Sequence, residues 1–160
     1  MAGNIQSAIA KLKHKDVRQR RRAVRILFDS DVHESVEAFS IFLEDSDVWF
    51  RNKAIEAYRR WAPVHAPHLL EDLAKQGQLD GQRCVATVLE TIHDSKLAAK
   101  LSRLLLKSED DVVIRRAVHQ LISSKEFTDD ELGIFQSSED HVVRAYATAV
   151  NGDPIECSKV

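Results

Sequence analysis

Apolar residues recur at spacings of three and four along most of the chain. The sets are Val17, Val24, Leu27 and Phe28; Val48, Phe50, Ala54, Ala57 and Tyr58; Val85, Val88, Leu89 and Ile92; Ile114, Ala117, Val118, Leu121 and Ile122; and Val143, Tyr146, Ala147 and Val150. That period places each set on one stripe of an α-helix. The stretches between them, Asn4 to Lys13, His33 to Glu44, Ala66 to Gln76, Lys96 to Lys107 and Thr128 to Ser137, repeat the spacing, as in Val36, Phe39, Ile41, Phe42 and Leu43 or Leu97, Leu101, Leu104 and Leu105. The pattern predicts helices arranged in consecutive pairs. Period-two alternation is nearly absent, and five glycines and three prolines serve the whole chain, so no sheet is expected. Pro63 and Pro67 are expected to break the run after Trp61, and the NGDP of 151–154 to stop the last helix.

The second helix of each pair opens on a recurring pentapeptide: Asp16 to Arg20 (DVRQR), Asp47 to Arg51 (DVWFR), Asp111 to Arg115 (DVVIR) and Asp140 to Arg144 (DHVVR). A fifth copy, Asp80 to Cys84 (DGQRC), keeps the aspartate but has cysteine in place of the arginine, with Arg83 beside it. The aspartates step by 31, 33, 31 and 29 residues, at the short end of the periods of helical solenoids. A carboxylate at a helix start accepts hydrogen bonds from free backbone N–H groups and meets the positive end of the dipole, so each aspartate reads as an N-cap, with an arginine one turn above it.

Helix pairs of this length, whose second helix opens with Asp, Val and Arg, resemble HEAT repeats, in particular the short bacterial and archaeal HEAT-like type first named from phycobilisome-lyase relatives. The resemblance covers roughly residues 4–151. It implies an all-α, right-handed α-solenoid of about five HEAT-like pairs in one domain, 1–152, with units near 4–30, 31–62, 64–94, 95–124 and 126–151 and a C-terminal tail, 153–160. It also implies that second helices line a concave face, and that Asp16, Arg20, Asp47, Arg51, Asp111, Arg115, Asp140 and Arg144 form a structural ladder between successive second helices. The third unit departs from the motif at Gly81 and Cys84, which leaves its register open.

The net charge of −2 gives no global drive toward nucleic acid, but the charge is unevenly placed. Between Lys11 and Arg25 eight basic residues stand against Asp16 alone, whereas Ser108 to Asp140 holds nine acids against three bases. Arg18, Arg22 and Arg25 fall at i, i+4 and i+7 and share a helix face. Cys84 and Cys157 belong to no CxxC or Cys/His cluster, so neither a disulfide framework nor a zinc site is expected, and a reducing, cytoplasmic setting fits. No apolar run approaches membrane-spanning length. The acid-poor start is read as an amphipathic helix with Ile5, Ala8, Ile9 and Leu12 on one face rather than as a presequence.

Candidate chemistry is thin. There is no Gly-rich phosphate loop, HExxH or GxSxG. Some HEAT-repeat oxygenases carry several His-Glu dyads; here His33-Glu34 stands alone, and His33 reads as a solvent-facing residue. His65 and His68 flank Pro67 and read as surface histidines, and Cys84 as a small buried thiol. No catalytic residue, metal or cofactor is expected. The reading is a non-catalytic scaffold or adaptor that binds another protein, of acidic character, through Arg18, Arg22, Arg25 and Trp49, as a monomer or weak dimer away from the membrane. Trp49 is either an exposed anchor or packed against the next repeat. Nucleic-acid binding through the basic first unit is the alternative, followed by a chromophore lyase or chaperone, which the resemblance alone suggests.

Overall fold

Short polar side chains set the helix starts, and the apolar stripes set what each helix packs against. A computed structural model describes residues 2–151, whose regular structure is all helical, with no strand among them. The elements are α1 (Ala2–Lys11), α2 (Val17–Asp29), a 3₁₀ helix (His33–Phe42), α3 (Val48–His65), α4 (Pro67–Lys75), α5 (Leu79–Val88) with a 3₁₀ turn (Leu89–Thr91), α6 (Ser95–Leu105), α7 (Asp111–Ser123), α8 (Asp129–Gln136) and α9 (His141–Asn151). The turn expected at 151–154, Cys157 and the tail lie outside the described residues, 151 itself excepted.

The chain divides into two compact units, Met1–Asp72 and Leu73–Val160. In the first, α1 packs on α2 and the 3₁₀ helix on α3; in the second, α6 packs on α7 and α8 on α9, while α7 also touches α5 and α9. Ala8 of α1 and Leu12, in the turn just after it, are buried, as the amphipathic spacing requires. The core of the first unit is aromatic. Phe28 lies 5.0 Å from Trp61 and 5.5 Å from Phe39, and Phe42 stacks on Phe50 at 4.7 Å between ring centroids. The core of the second unit gathers Ala99, Val118, Leu121, Phe135, Val143 and Ala147.

Three elements differ from the pattern's expectation. His33–Phe42 is a 3₁₀ helix rather than an α-helix, and its buried Val36, Phe39 and Phe42 recur every third residue, the period of that tighter turn. Pro63 does not break α3, which runs on to His65. The proline removes one donor in the last turn and deprives the carbonyl of Arg59, an exposed residue that water can reach. The break comes at Ala66 (φ −151°, ψ 58°), where the following Pro67 disfavours helical geometry and then serves as the first residue of α4. Finally, Val17 and Val48, counted on the apolar stripes, are 39% and 56% exposed. As first residues after their caps they sit above the packed turn.

The ends of α2 and α7 are closed in the same way. Val32 N–H reaches the Leu27 carbonyl at 3.0 Å and Glu126 N–H the Leu121 carbonyl at 3.0 Å, around Asp31 (φ 51°) and Lys125 (φ 57°) in the left-handed region. Glycine is the usual residue there, but Asp31 uses its side chain. Its carboxylate accepts the Trp61 indole N–H at 2.7 Å and an Arg60 guanidinium at 3.0 Å, tying the end of α2 to α3.

Gly81 has a packing reason. A Cβ there would stand 2.8 Å from Leu73 Cδ1, 3.0 Å from its Cγ and 3.4 Å from its carbonyl oxygen, so α5 lies close to the end of α4. Gly133, inside α8, would meet nothing within 4 Å. We expect opposite outcomes from the same substitution. Gly81→Ala should destabilise the second unit by about 1 kcal/mol despite the helix preference it adds, because overpacking outweighs it. Gly133→Ala should stabilise by about 0.5–1 kcal/mol. Urea denaturation followed by circular dichroism checks both signs.

Candidate functional site

The recurring aspartates cap helices, and the structure fixes their register. Asp16, Asp47, Asp110 and Asp140 have a carboxylate oxygen accepting from the backbone N–H two residues on, at 2.8–2.9 Å. Asp110, not Asp111, is therefore the cap of α7, and Asp111 is the first residue of the helix. Two adjacent aspartates made these positions indistinguishable by pattern. In α5 the cap position is Gln78, and Asp80 lies in the first turn, so the fifth pentapeptide is displaced by two residues.

With the caps placed, the arginines divide into two roles. Those four residues after a cap fold back on their own loop: Arg20 donates to the carbonyls of His14 and Lys15, Arg51 to those of Asp45 and Ser46, and Arg144 to those of Ser138 and Glu139, at 2.6–3.1 Å. Those five residues after a cap reach across to the cap of the next second helix. Arg21 meets Asp47 at 2.9 Å, Arg83 meets Asp110 at 2.7 Å and Arg115 meets Asp140 at 2.9 Å. Of the expected ladder residues, Arg115, Asp47 and Asp140 thus form rungs, whereas Arg20, Arg51 and Arg144 brace loops, Asp16 caps its own helix and Asp111 is the first residue of α7. Arg83, noticed only as a neighbour of Cys84, and Arg21 supply the others. A further position escaped the pattern: two residues before the caps Asp16, Asp47, Asp110 and Asp140, the side chains of His14, Asp45, Ser108 and Ser138 accept the cap's own N–H.

These contacts lower the carboxyls of Asp47, Asp110 and Asp140 from their ordinary value. For Asp47 the main cause is the Trp49 backbone N–H, followed by Arg21; for Asp110 it is the hydrogen bond from Arg83. At Asp140 burial pushes upward, and Arg115 with the Val143 and Val142 N–H groups outweighs it. The same pairing on α6 and α8, Arg103 with Glu131 at 2.9 Å, lowers the glutamate and raises the arginine.

Counting from the caps also shows which side chains stand in register on the face two, six and nine residues on. They are Arg18, Arg22 and Arg25 on α2; Trp49, Lys53 and Glu56 on α3; Asp80, Cys84 and Thr87 on α5; Val112, Arg116 and His119 on α7; and Val142, Tyr146 and Ala149 on α9. Gln82 and Val113, the equivalents of Trp49 if Asp80 and Asp111 were caps, are instead buried, at 8% and 1% exposure.

In the first unit this face is basic and aromatic. Arg18, Arg22 and Arg25 are exposed, and Trp49 is half-buried. The structure brings Arg25 to the tryptophan, with its guanidinium carbon 5.9 Å from the ring, but it is joined there by Arg21 at 5.4 Å and Lys53 at 5.7 Å. Cations at these distances are attracted by the π face. Arg21 Nε is buried with no hydrogen-bond partner, covered by the Trp49 and Phe50 rings that its guanidinium approaches. Trp49 also meets Phe50 edge-on at 5.0 Å. Arg21 and Lys53 were therefore missing from the expected site, since neither their ring contacts nor the α2–α3 adjacency can be counted off a sequence.

The remaining candidates resolve as follows. His33 is not simply solvent-facing: its ring stacks on His65 at 3.7 Å and 9° between planes, and its Nε2 lies 3.4 Å from Glu34. No group of three or more His, Cys, Asp or Glu able to hold a metal occurs among the described residues. Cys84 is a buried thiol. No described helix is long and apolar enough to cross a membrane. The chain matches no model of a known family, and no curated protein matches it.

Proposed function

We propose that the helix pairs are HEAT-like units of a solenoid and that the protein is a non-catalytic scaffold or adaptor, whose first unit binds an acidic segment of another protein. The observation that carries this reading is the assembly of Arg21, Arg25 and Lys53 around Trp49, beside the exposed Arg18 and Arg22. A tryptophan set among guanidinium groups offers both a hydrophobic contact and charge to an acidic peptide, and such residues dominate interface energetics. A reducing compartment such as the cytoplasm, and a monomer or weak dimer, belong to the same reading. The succession of α5, α7 and α9 in the second unit supports the repeat interpretation.

Nucleic acid is the second reading, and the row of exposed arginines on α2 favours it. Two features weigh against it. The Trp49 ring is already engaged by the protein's own cations, which competes with base stacking. In the second unit Arg83 and Arg115 are paired with carboxylates, so those guanidinium groups are not left for phosphates.

The test is fluorescence anisotropy with a labelled glutamate-rich peptide and with labelled single-stranded and duplex DNA. The peptide should bind, and the Arg18/Arg22/Arg25 triple glutamate variant should lose at least about tenfold in affinity. If DNA binds instead, with affinity falling by about 10³ or more between about 50 and 200 mM salt, the nucleic-acid reading replaces this one.

A further inference from the structure

The outward charges of α2 lie along one line and follow helical intervals. Arg18, Arg22 and Arg25 are exposed at i, i+4 and i+7 of an uninterrupted helix. A rise of about 1.5 Å per residue sets them about 6 Å and then about 4.5 Å apart along the axis. Asp29, exposed at i+11, continues the line with the opposite sign and ends its positive stretch. The neighbouring arginines have other tasks, since Arg20 braces its own loop and Arg21 holds Asp47 at 2.9 Å. Beside the line stands the half-buried Trp49, its ring 5.9 Å from the Arg25 guanidinium carbon. An aromatic ring carries no net charge, so Arg25 still has a full positive charge to offer an anion.

The unequal intervals discriminate between backbone conformations of an acidic partner. An extended segment shows same-side side chains at equal steps of about 6.6 Å. Three successive carboxylates on it span about 13 Å and overrun a row about 10.5 Å long. A helix laid along α2 instead offers steps of four and three residues, about 6 Å and 4.5 Å, on a single face. Its carboxylates then stand opposite all three arginines together, and a flanking side chain reaches the tryptophan. Packing of one helix against another along their lengths is an ordinary mode of segment recognition.

We propose that the first unit takes its acidic partner as a helix lying along α2. The partner's carboxylates stand at i, i+4 and i+7 when it runs parallel to α2, or at i, i+3 and i+7 when antiparallel, with an apolar side chain on the flank that meets Trp49. The inference rests on the reading of this unit as a binder of acidic protein segments, and adds the form that the segment takes.

The experiment measures binding of four labelled peptides of equal composition and charge to the full chain by fluorescence anisotropy. Two are stapled helices with a stripe of glutamates, at i, i+4 and i+7 or at i, i+3 and i+7. The third is a stapled helix with its glutamates dispersed around the axis at i, i+2 and i+5. The last is unstapled, interrupted by proline, with glutamates at alternate positions. One stripe helix should bind at least about tenfold tighter than the dispersed helix and the extended peptide. Arg22→Glu should weaken that helix about tenfold, and lysine in place of its central glutamate should restore binding to Arg22→Glu but not to Arg18→Glu, both variants being shown folded by circular dichroism. Equal affinities for striped and dispersed helices, tighter binding of the extended peptide, or a rescue that ignores position would overturn the proposal and leave the acidic-segment reading in place. Binding of none of the four to the folded chain would overturn both.

Discussion

Phe39→Ala is expected to lower the unfolding free energy of the first unit by about 3–5 kcal/mol, most of what a small unit possesses. Phe39 is fully buried and lies at the centre of the aromatic core, 5.5 Å from Phe28, 6.1 Å from Trp61 and 6.2 Å from Phe42. Phe28 and Trp61 stack on each other at 5.0 Å and Phe42 stacks on Phe50 at 4.7 Å, so these neighbours cannot easily collapse into the space, and a cavity term adds to the lost transfer energy. The measurement is convenient because both tryptophans, Trp49 and Trp61, belong to this unit, and their fluorescence reports its unfolding alone. Ile41→Ala on the same 3₁₀ helix, at 44% exposure, should shift the midpoint little, within about 0.5 kcal/mol. Equal effects for the two substitutions would mean that the 3₁₀ helix does not pack as described.

The second large effect is acid lability. Asp47, Asp110, Asp140, Asp31 and Glu131 all have carboxyls lowered in the folded state. For Asp31 the main cause is the Trp61 indole, and for Glu131 it is Arg103. A group whose folded pKa is depressed contributes stability above its unfolded value and loses it as pH falls through the folded value. The ordinary values are 3.8 for these aspartates and 4.5 for the glutamate. Thermal midpoints should therefore be nearly flat from about pH 7 to about pH 5 and fall steeply below about pH 4.5. Because four of the five carboxyls sit at a helix cap or within its first turn, protonation withdraws caps and cross-helix bonds together. Asp110→Asn and Asp140→Asn should lower the midpoint at neutral pH and flatten its decline in acid. A midpoint that is insensitive to pH down to about 3 would contradict the cap and rung assignment.

Much of this architecture could be read from residue spacing, and the failures have physical causes. The three-four periodicity located the helices because burial on one face dictates it. It could not locate the cap of α7, since Asp110 and Asp111 are chemically alike and only backbone geometry separates them. It misjudged Pro63, because a missing donor costs little where water can serve the freed carbonyl, and His33–Phe42, because Val36, Phe39 and Phe42 also satisfy a helical stripe. The rungs were half legible: Asp47, Asp140 and Arg115 were read, but Arg20 and Arg21 are adjacent arginines with opposite tasks, one bracing its own loop and the other crossing to α3. Of the candidate site, Arg25 lies by the Trp49 ring, and Arg18 and Arg22 are exposed on α2. Arg21 and Lys53 join them only through the packing of α2 beside α3. Gln82 lies in the interior because the cap at Gln78 shifts the register of α5 by two residues from the one that Asp80 implied.

The most direct measurement of the central claim is affinity capture from a lysate of the source organism with wild type and with the folded Arg18/Arg22/Arg25 triple glutamate variant, each with and without nuclease. The account predicts a protein retained by wild type after nuclease and lost by the variant. Retention that disappears with nuclease would contradict it and make the arginine row a nucleic-acid contact.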